Sequence, residues 1–306
     1  MRVNLVSGGL GFVGSHLVDD LIQLGEFVIC LDDISSGRKS NIKRWQNSPN
    51  FQFIEGNILD YHNIKFERLW HLACPASPEK YLIDPILTSE INFQGTLNLL
   101  NMAKKQKAKV LFASSSEVYG NCLQIPQDEN YLGFINTKSL RSCYSHGKRI
   151  AETLCFDFQR IYDMDIKIAR IFNTYGPRLK RGDGRVISNF INQGLKGDPI
   201  TIFGNGLQTR SFCYVSDTIN ALILFMESDF NGVLNIGNED EISIIELAKL
   251  IDKMIDNAKK YKFHEKKVDE TIRRCPSIKL AKQIINWEPK VNLDEGLKNT
   301  INFFKK

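Results

Sequence analysis

Residues 3–14 read VNLVSGGLGFVG, an apolar strand-like run that leads directly into a GxxGxxG pattern. The residues that follow, as far as position 24, have the apolar spacing of a helix. Glycine permits a tight turn, a close approach of the backbone to a pyrophosphate, and close packing of the helix on the strand. The free N–H groups at the start of the helix then suit an anion. We expect this dinucleotide site to be lined by Gly8, Gly11, Phe12, Val13 and Gly14.

An acid stands at the distance that this motif requires. Asp32 ends the second predicted strand, where its carboxylate accepts hydrogen bonds from ribose hydroxyls and repels a 2′-phosphate, so NAD is favoured over NADP. Arg38 and Lys39 follow closely and would suit NADP, which leaves that alternative open. Asn57, after the third strand, is placed to bond the adenine amino group. Leu72, at the end of the fourth, is assigned to the same site.

Apolar runs alternate with amphipathic stretches through the first half of the chain. Strands are predicted at 3–7, 27–31, 51–55, 68–72, 109–115 and 166–172, and helices at 12–24, 85–105 and 144–162. Continuous apolar strands separated by helices indicate a parallel sheet that is covered on both faces. The predicted fold is therefore α/β, a doubly wound parallel sheet of the Rossmann type over residues 1–175.

The second half is more mixed. Helices are predicted at 185–195, 216–227, 243–255 and 294–304, and extended segments at 199–203, 210–215 and 232–236. Ser243 and Glu246 form a capping box that opens the third of these helices. We expect residues 176–306 to form a smaller mixed α/β substrate-binding domain that is partly interleaved with the first.

Composition excludes several classes of protein. The 306 residues have a net charge of +5 and 42% hydrophobic residues, and no apolar run is long enough to span a membrane. The seven cysteines include no CxxC pair, so neither a disulfide framework nor a metal site is expected. The lysine-rich stretches 104–109 and 259–267 lack interleaved aromatic residues and are interpreted as solvated helix faces and a loop, not as a nucleic-acid site. Because Met1 is followed at once by a strand, leaving no room for a signal peptide, a cytoplasmic protein is expected.

Tyr144 and Lys148 are four residues apart on a predicted helix, so both side chains lie on one face. Ser115 closes the fifth predicted strand, at the carboxyl edge of the sheet where ligands bind. The three residues resemble the Ser, Tyr-xxx-Lys machinery of short-chain dehydrogenases. A phenol of pKa about 10 needs roughly 4 kcal/mol of stabilisation to ionise near pH 7, which the Lys148 ammonium and a cationic nicotinamide would supply together. Tyr144 is then the base that removes a sugar hydroxyl proton.

The residues after this serine distinguish between reactions. Residues 115–120 read SSEVYG. The 4,6-dehydratases carry an Asp-Glu pair at the positions of Ser116 and Glu117, and Ser116 cannot protonate a departing hydroxyl. The 4-epimerases usually have a small residue in place of Glu117. Both activities remain as alternatives, as does a catalytically silent NAD-binding regulator, although the intact Ser115, Tyr144 and Lys148 count against that last one.

The chain resembles the UDP-glucuronate decarboxylase family of extended short-chain dehydrogenases/reductases along nearly its whole length. The matching segments are residues 71–78 with Tyr81, Asn92, 115–120, 141–144, 147–152, 170–178, 183–186, 188–190, 208–210, 214–217, and Arg274 with Pro276. The resemblance implies a bound NAD, a UDP-sugar substrate, and a homodimer packed through 85–105 and 144–162. It also implies oxidation at C4, loss of CO₂ from the resulting β-keto acid, and re-reduction.

The same resemblance implies roles for further residues. Catalysis is assigned to Tyr144, Lys148, Ser115 and Glu117, with Glu117 positioning the sugar or a water near C5. Substrate contacts are assigned to Tyr81, Asn92, Asn173, Arg185, Arg210 and Arg274, and the arginines suit a diphosphate because a guanidinium makes bidentate contacts. The chain departs from the family at Ser145, His146 and Ser277. The first two are expected to face away from the Tyr144 and Lys148 side chains, with His146 on the helix surface or in a dimer contact.

Overall fold

A seven-stranded parallel sheet forms the centre of the computed structural model, which describes residues 1–60, 63–256, 260–265 and 273–306. The strands are β1 (Val3–Ser7), β2 (Phe27–Asp32), β3 (Phe51–Glu55), β4 (Arg68–His71), β5 (Lys109–Ser115), β6 (Ile166–Ile171), β7 (Thr174–Tyr175), β8 (Ile200–Phe203), β9 (Thr209–Ser211), β10 (Cys213–Tyr214), β11 (Val233–Ile236), β12 (Glu241–Ser243), β13 (Tyr261–His264) and β14 (Arg273–Arg274). The helices are α1 (Phe12–Gln23), α2 (Pro78–Tyr81), α3 (Pro85–Glu90), α4 (Thr96–Gln106), α5 (Ser142–Tyr162), α6 (Val186–Lys196), α7 (Val215–Glu227), α8 (Ile244–Ile255), α9 (Lys279–Ile285) and α10 (Leu293–Lys305).

The large sheet has the order β11-β6-β5-β4-β1-β2-β3, so the chain changes direction between β1 and β4. Both strands run parallel and end at Ser7 and His71, which pair across the sheet. In a doubly wound sheet this reversal opens a crevice at the carboxyl ends of the strands, where ligands bind. The predicted α/β fold with a doubly wound parallel sheet is confirmed.

Helices cover both faces of this sheet, which is why its strands are apolar throughout. Leu17 and Leu21 of α1 pack on one face together with Phe225 of α7. Leu99 of α4 and Phe158 of α5 pack on the other. All six predicted strands of the first half form, and each ends within one residue of its expected boundary.

A second apolar core joins α6, α8 and α10 to β8, with Phe190, Ile202, Leu247 and Leu297 at its centre. The intervening chain returns to the first unit, because β11 adds to the edge of the large sheet beside β6 and α7 packs beneath it. The predicted capping box opens α8: the Ser243 hydroxyl accepts from the Glu246 amide, and the Glu246 carboxylate accepts from the Ser243 amide. The boundary at residue 175 remains a prediction.

Two local predictions were wrong. Residues 85–105 are not one regular helix, because a π-helical turn at Ile91–Gly95 separates α3 from α4. The lysine-rich stretch 259–267 contains β13, which pairs in parallel with β8, where a solvated helix or loop was expected. Lysine is uncommon in strands, so its frequency in this stretch favoured a different prediction. Residues 259, 266 and 267 lie outside the described part of the chain. None of the helices in the described ranges is long and apolar enough to cross a membrane.

Candidate active site

A cavity of about 860 Å³ opens at the carboxyl edge of the large sheet and extends under α6 and β8. It brings together residues that are far apart in the sequence. The predicted site residues that line it are Gly8, Gly11, Phe12, Val13, Gly14, Asp32, Asn57, Leu72, Tyr81, Ser115, Glu117, Tyr144, Lys148, Asn173, Arg185, Arg210 and Arg274. Asn92 is the predicted residue that does not line it.

The glycine turn fits the diphosphate of a dinucleotide. Gly8 has φ +77°, and a Cβ placed there would lie 2.8 Å from the Ala73 amide nitrogen. A Cβ at Gly14 would lie 2.1 Å from the Gly8 carbonyl oxygen, so α1 approaches the turn as closely as only glycine allows. Gly11 caps α1 without any side-chain hydrogen bond, and the first turn holds no acid. The helix N-terminus therefore presents unsatisfied amides to an anion.

We predict that Gly14→Ala abolishes stable retention of the dinucleotide and lowers the melting temperature by several degrees. The added methyl group forces α1 away from the β1 turn, because both neighbours of Gly14 are backbone atoms that cannot rotate away. Cofactor content after gel filtration and thermal unfolding are the measurements. Gly25→Ala, at the open C-terminal end of the same helix, meets no atom within 4 Å and costs only its positive-φ strain of about 1 kcal/mol. Retention of cofactor by Gly14→Ala at the parental level would contradict this fit.

Asp32 is buried at the end of β2, and its carboxylate accepts hydrogen bonds from the Leu10 amide at 2.9 Å and the Ile34 amide at 2.8 Å. Burial raises the pKa of this carboxyl, while the two amides favour its ionised form. Each carboxylate oxygen keeps a second lone pair for a ribose hydroxyl. The Lys39 ammonium pairs with the Glu55 carboxylate at 2.8 Å. This lysine therefore already has an acidic partner and is not reserved for the 2′-phosphate of NADP. Asn57 donates to the neighbouring Asp33 at 3.1 Å.

Tyr144 is buried on α5 and hydrogen-bonds to the Ser115 hydroxyl at the end of β5. Its ring lies flat against that of Tyr81, with ring centroids 5.0 Å apart and an interplanar angle of 7°. The Lys148 ammonium donates to the Ala113 carbonyl at 2.9 Å and lies 6.0 Å from the Tyr144 ring centroid. Burial raises the pKa of Tyr144, and its hydrogen bond with Ser115 acts in the opposite direction. The expected lowering by Lys148 and a cationic nicotinamide together stays a prediction.

Glu117 lies beside this pair and is surrounded by arginines. Its carboxylate contacts Arg274 at 2.5 Å and Arg141 at 3.4 Å, and Arg210 contributes at longer range. Burial by itself raises the pKa of Glu117, but the arginines, Arg274 first, lower it to about 2. At neutral pH Glu117 is therefore an anion and cannot donate a proton. Arg274 and Arg141 share one carboxylate, so arginines outnumber acids among the groups in direct contact here.

The structure corrects one predicted substrate contact and locates another. Asn92 is buried in the π-helical turn, where its amide donates to the Thr88 carbonyl at 2.8 Å and accepts from the Cys74 thiol. It packs against Gly147 of α5, so it joins helices and does not face the cavity. Arg274 lines the cavity at its Glu117 end, beside the catalytic candidates, and its contact with substrate stays a prediction.

The remaining predicted positions fall as follows. Asn173 donates to the Ser211 carbonyl, and Arg185 lies 5.9 Å from the Phe12 ring centroid at the start of α1. Ser145 and His146 do not line the cavity, as the helical spacing predicted. Sequence reasoning missed Arg141 as a site residue, although its position one helical turn before Tyr144 was a usable signal. Within the described residues, no group of three His, Cys, Asp or Glu side chains is arranged to hold a metal ion.

Comparison with known proteins agrees with this arrangement. The family model for GDP-mannose 4,6 dehydratase matches residues 5–300. UDP-glucuronic acid decarboxylase 3 of Arabidopsis thaliana is 47% identical over 298 residues, which cover 97% of this chain and 87% of the relative. The chain belongs to the UDP-glucuronic acid decarboxylase family. This family forms part of the wider NAD-dependent epimerase/dehydratase group.

Solved structures of related epimerases share the whole fold. UDP-glucose 4-epimerase from Thermotoga maritima, solved with UDP-glucose, aligns with a TM-score of 0.92 at 32% identity and covers 99% of this chain and 98% of its own. UDP-glucuronic acid 4-epimerase from Bacillus cereus, solved with NAD and UDP-4-deoxy-4-fluoro-glucuronic acid, aligns with a TM-score of 0.90 at 27% identity, with 99% of each chain covered. The decarboxylase family thus shares its framework with enzymes of different outcome, and members of the group bind NAD.

Proposed function

We propose that this protein converts UDP-glucuronate to UDP-xylose and CO₂ with a bound NAD. The observation that carries the proposal is the group of arginines beside Ser115 and Tyr144, where Arg274 and Arg141 both contact Glu117. Their charge suits a sugar bearing a carboxylate and has no partner on a neutral hexose. Family membership at 47% identity over nearly the full chain supports the same conclusion.

NAD fits the cavity through the residues already described. The amides at the start of α1 would hold its diphosphate, and Asp32 would accept from the adenosine ribose. Bound NAD supplies a reversible hydride acceptor for C4 of the sugar and, in its oxidised form, the cation that Tyr144 needs. The ion pair of Lys39 with Glu55 supports NAD over NADP, since one of the two basic residues after Asp32 already has an acidic partner.

The chain supplies the acid–base chemistry at O4. Tyr144, as phenolate, takes the proton of the C4 hydroxyl, while Ser115 donates a hydrogen bond to the same oxygen. The C4 ketone is β to the C6 carboxylate, so the electrons of the C5–C6 bond move onto O4 as CO₂ leaves. Tyr144, now protonated, and Ser115 stabilise that enolate. After C5 gains a proton from a solvent water beside Glu117 and C4 regains the hydride, Tyr144 returns its proton to O4.

Glu117 acts in this sequence as an anion. Because its pKa is about 2, it cannot be the source of the C5 proton, but it can hold a water or the Arg274 guanidinium near C5. Arg274 and Arg141 attract the sugar acid into the site and then face a neutral CO₂ when the bond breaks. The electrostatic field therefore favours binding of the acid, and the ketone at C4 drives its decarboxylation.

A single NMR time course tests this proposal. The protein is incubated with UDP-glucuronate and NAD⁺, and the sugar signals are followed. We expect UDP-xylose to accumulate with release of one CO₂ per sugar and no net loss of NAD⁺. Conversion to UDP-galacturonate would show a 4-epimerase, and consumption of a neutral hexose nucleotide alone would show one of the other activities. Cofactor binding with no turnover of any nucleotide sugar would show a silent regulator.

We also propose that two copies pair through α3 and α5. Apolar side chains remain exposed along this surface, notably Ile83, Ile86, Phe93, Ile150 and Ile161. Ile150 and Ile161 are eleven residues apart on α5, which places them on one helical face. Ile86 lies on α3, and Phe93 lies in the π-helical turn that follows α3. An apolar stripe of this kind marks a packing surface.

We predict that Ile86→Asp produces a monomer by sedimentation velocity, because a charge then replaces a side chain that is 81% exposed at the centre of the stripe. Leu123→Asp is the matched control, since Leu123 is 88% exposed but lies outside α3 and α5. Identical sedimentation of Ile86→Asp and the parent would count against pairing through this surface.

A further inference from the structure

The position of Arg274 depends on a residue far away in the sequence. Arg274 ends the two-residue strand β14, and the chain turns into Cys275 and Pro276 directly after it. On its other side, Arg273 pairs with Glu241 at the protein surface. Pairing of β14 with β9 places Arg274 beside Arg210, and the residues after Arg274 fix the other end of the segment that carries its guanidinium.

Gln127, which is fully buried at 0% exposure, bonds the backbone after Arg274 through one side-chain atom and through its own main chain. The Gln127 side-chain oxygen accepts from the Cys275 amide at 2.9 Å, and the Gln127 amide donates to the Cys275 carbonyl, also at 2.9 Å. The Gln127 carbonyl accepts from the Ser277 amide at 2.7 Å and from the Asn235 side chain at 3.0 Å. Both polar groups of the Cys275 backbone are thus fixed by a single residue.

Gln127 does not line the cavity, so it has no direct contact to offer a substrate. The loop that contains Gln127 nevertheless begins next to Glu117, the residue that pairs with Arg274. Gly120, three residues after Glu117, has φ +60°, and a Cβ there would lie 2.0 Å from the Phe134 carbonyl oxygen. The loop that starts at this turn returns to Cys275 through Gln127. One loop therefore connects the backbones that carry Glu117 and Arg274.

We propose that Gln127 is a positioning residue that sets the Arg274 guanidinium against Glu117, and that this register is needed for decarboxylation. A buried amide such as that of Cys275 needs an acceptor, and removal of the Gln127 oxygen would make the segment move to find one. A displacement of about 1 Å at a reacting group costs on the order of 10²-fold in rate. The inference rests on the decarboxylase function proposed above.

The test substitutes Gln127→Met, which keeps the side-chain length and removes the acceptor. We expect kcat for UDP-xylose formation to fall about 10- to 100-fold, with a smaller change in KM. As Arg274 moves away, the pKa of Glu117 returns towards its ordinary 4.5, so the variant gains an acid limb in its pH profile that the parent lacks. A merely structural loss would lower the amount of folded enzyme and leave the pH profile in place.

Three further measurements decide between the two explanations. Gln124→Met is the matched control, because Gln124 lies on the same loop, its side chain donates to Asp128, and only its backbone carbonyl bonds Gln127. Gln127→Glu keeps an oxygen for the Cys275 amide, so its kcat should lie within about threefold of the parent value. If Gln127→Met does not fold, Gln127→Glu is the variant on which kcat is measured. Combining Gln127→Met with Arg274→Met should cost no more than Arg274→Met alone.

Additive losses in the double variant, or an unchanged pH profile in folded Gln127→Met, would overturn the proposal. Failure of the proposed function has a different signature, since the parent itself would then not decarboxylate UDP-glucuronate. The role of Gln127 is still decided in that case by a crystal structure of Gln127→Met, in which Arg274 should be displaced from Glu117. An undisturbed Arg274 in that structure would likewise overturn it.

Discussion

Tyr144→Phe is expected to lower UDP-xylose formation by about 10³- to 10⁴-fold while leaving the protein folded and able to bind NAD. The phenol oxygen is the group that takes the C4 proton, and it later donates to the enolate oxygen. Phenylalanine keeps the ring that stacks on Tyr81 at 5.0 Å, so packing is retained. The measurement is UDP-xylose production, together with cofactor content and thermal unfolding of the same preparation.

Tyr162→Phe is the matched control for this substitution. Tyr162 ends the same helix, α5, but it lies half-exposed beside Lys104 at the opposite end from the cavity. Loss of the Tyr162 hydroxyl should leave the rate of UDP-xylose formation unchanged. Release of CO₂ by Tyr144→Phe at the parental rate would remove Tyr144 from the mechanism, and with it the proposed opening step at C4.

Arg274→Met is expected to reduce UDP-xylose formation on the order of 10²-fold and to destabilise the fold by about 3 kcal/mol. Removing one partner of a buried ion pair leaves the other charge uncompensated. Because Arg141 still contacts Glu117, we expect the loss of unfolding free energy to lie at the lower end of the range for broken buried ion pairs. Turnover and chemical denaturation measure the two effects.

The stability loss should depend on pH in a defined direction. Because the folded pKa of Glu117 is lowered from 4.5 to about 2, the stability that its ion pairs contribute is fully present above about pH 4.5 and disappears as the pH falls through 2. The difference between the parent and Arg274→Met should therefore shrink across that interval. Arg273→Met, on the same strand but 51% exposed in its side chain, should show neither effect. A pH-independent difference would show that Arg274 acts through packing alone.

The strands and helices of the first half could be predicted because their signals are local. A buried parallel strand is apolar along its whole length, and within the glycine turn after β1 the space at Gly11 and Gly14 is limited by Gly8 and Gly9 of the same turn. β13 was missed because its pairing partner β8 lies about sixty residues earlier, and because the alternation of Tyr261 and Phe263 with polar residues covers only four positions among many lysines. The π-helical turn was missed because it depends on Asn92 bonding its own helix.

The candidate site divides in the same way. Tyr144 and Lys148 share a helix face, and Ser115 ends a strand, so their meeting at one edge of the sheet follows from periodicity and the direction of the strands. The sequence could predict that Arg274 belongs to the site, but not which residues it contacts there. Its contact with Glu117 spans 157 positions and is created by the pairing of β14 with β9 and by the bonds from Gln127.

The amino-acid sequence by itself determined the doubly wound sheet, the dinucleotide turn and the Ser115, Tyr144 and Lys148 set, since steric limits at glycine and the periods of helix and strand act between near neighbours. Only the tertiary structure decided that Asn92 joins helices, that Glu117 is an anion among three arginines, and that Gln127 holds the segment after Arg274. Hydrogen bonds and ion pairs between distant segments carry no periodic signal, because they exist only once the chain has brought those segments together.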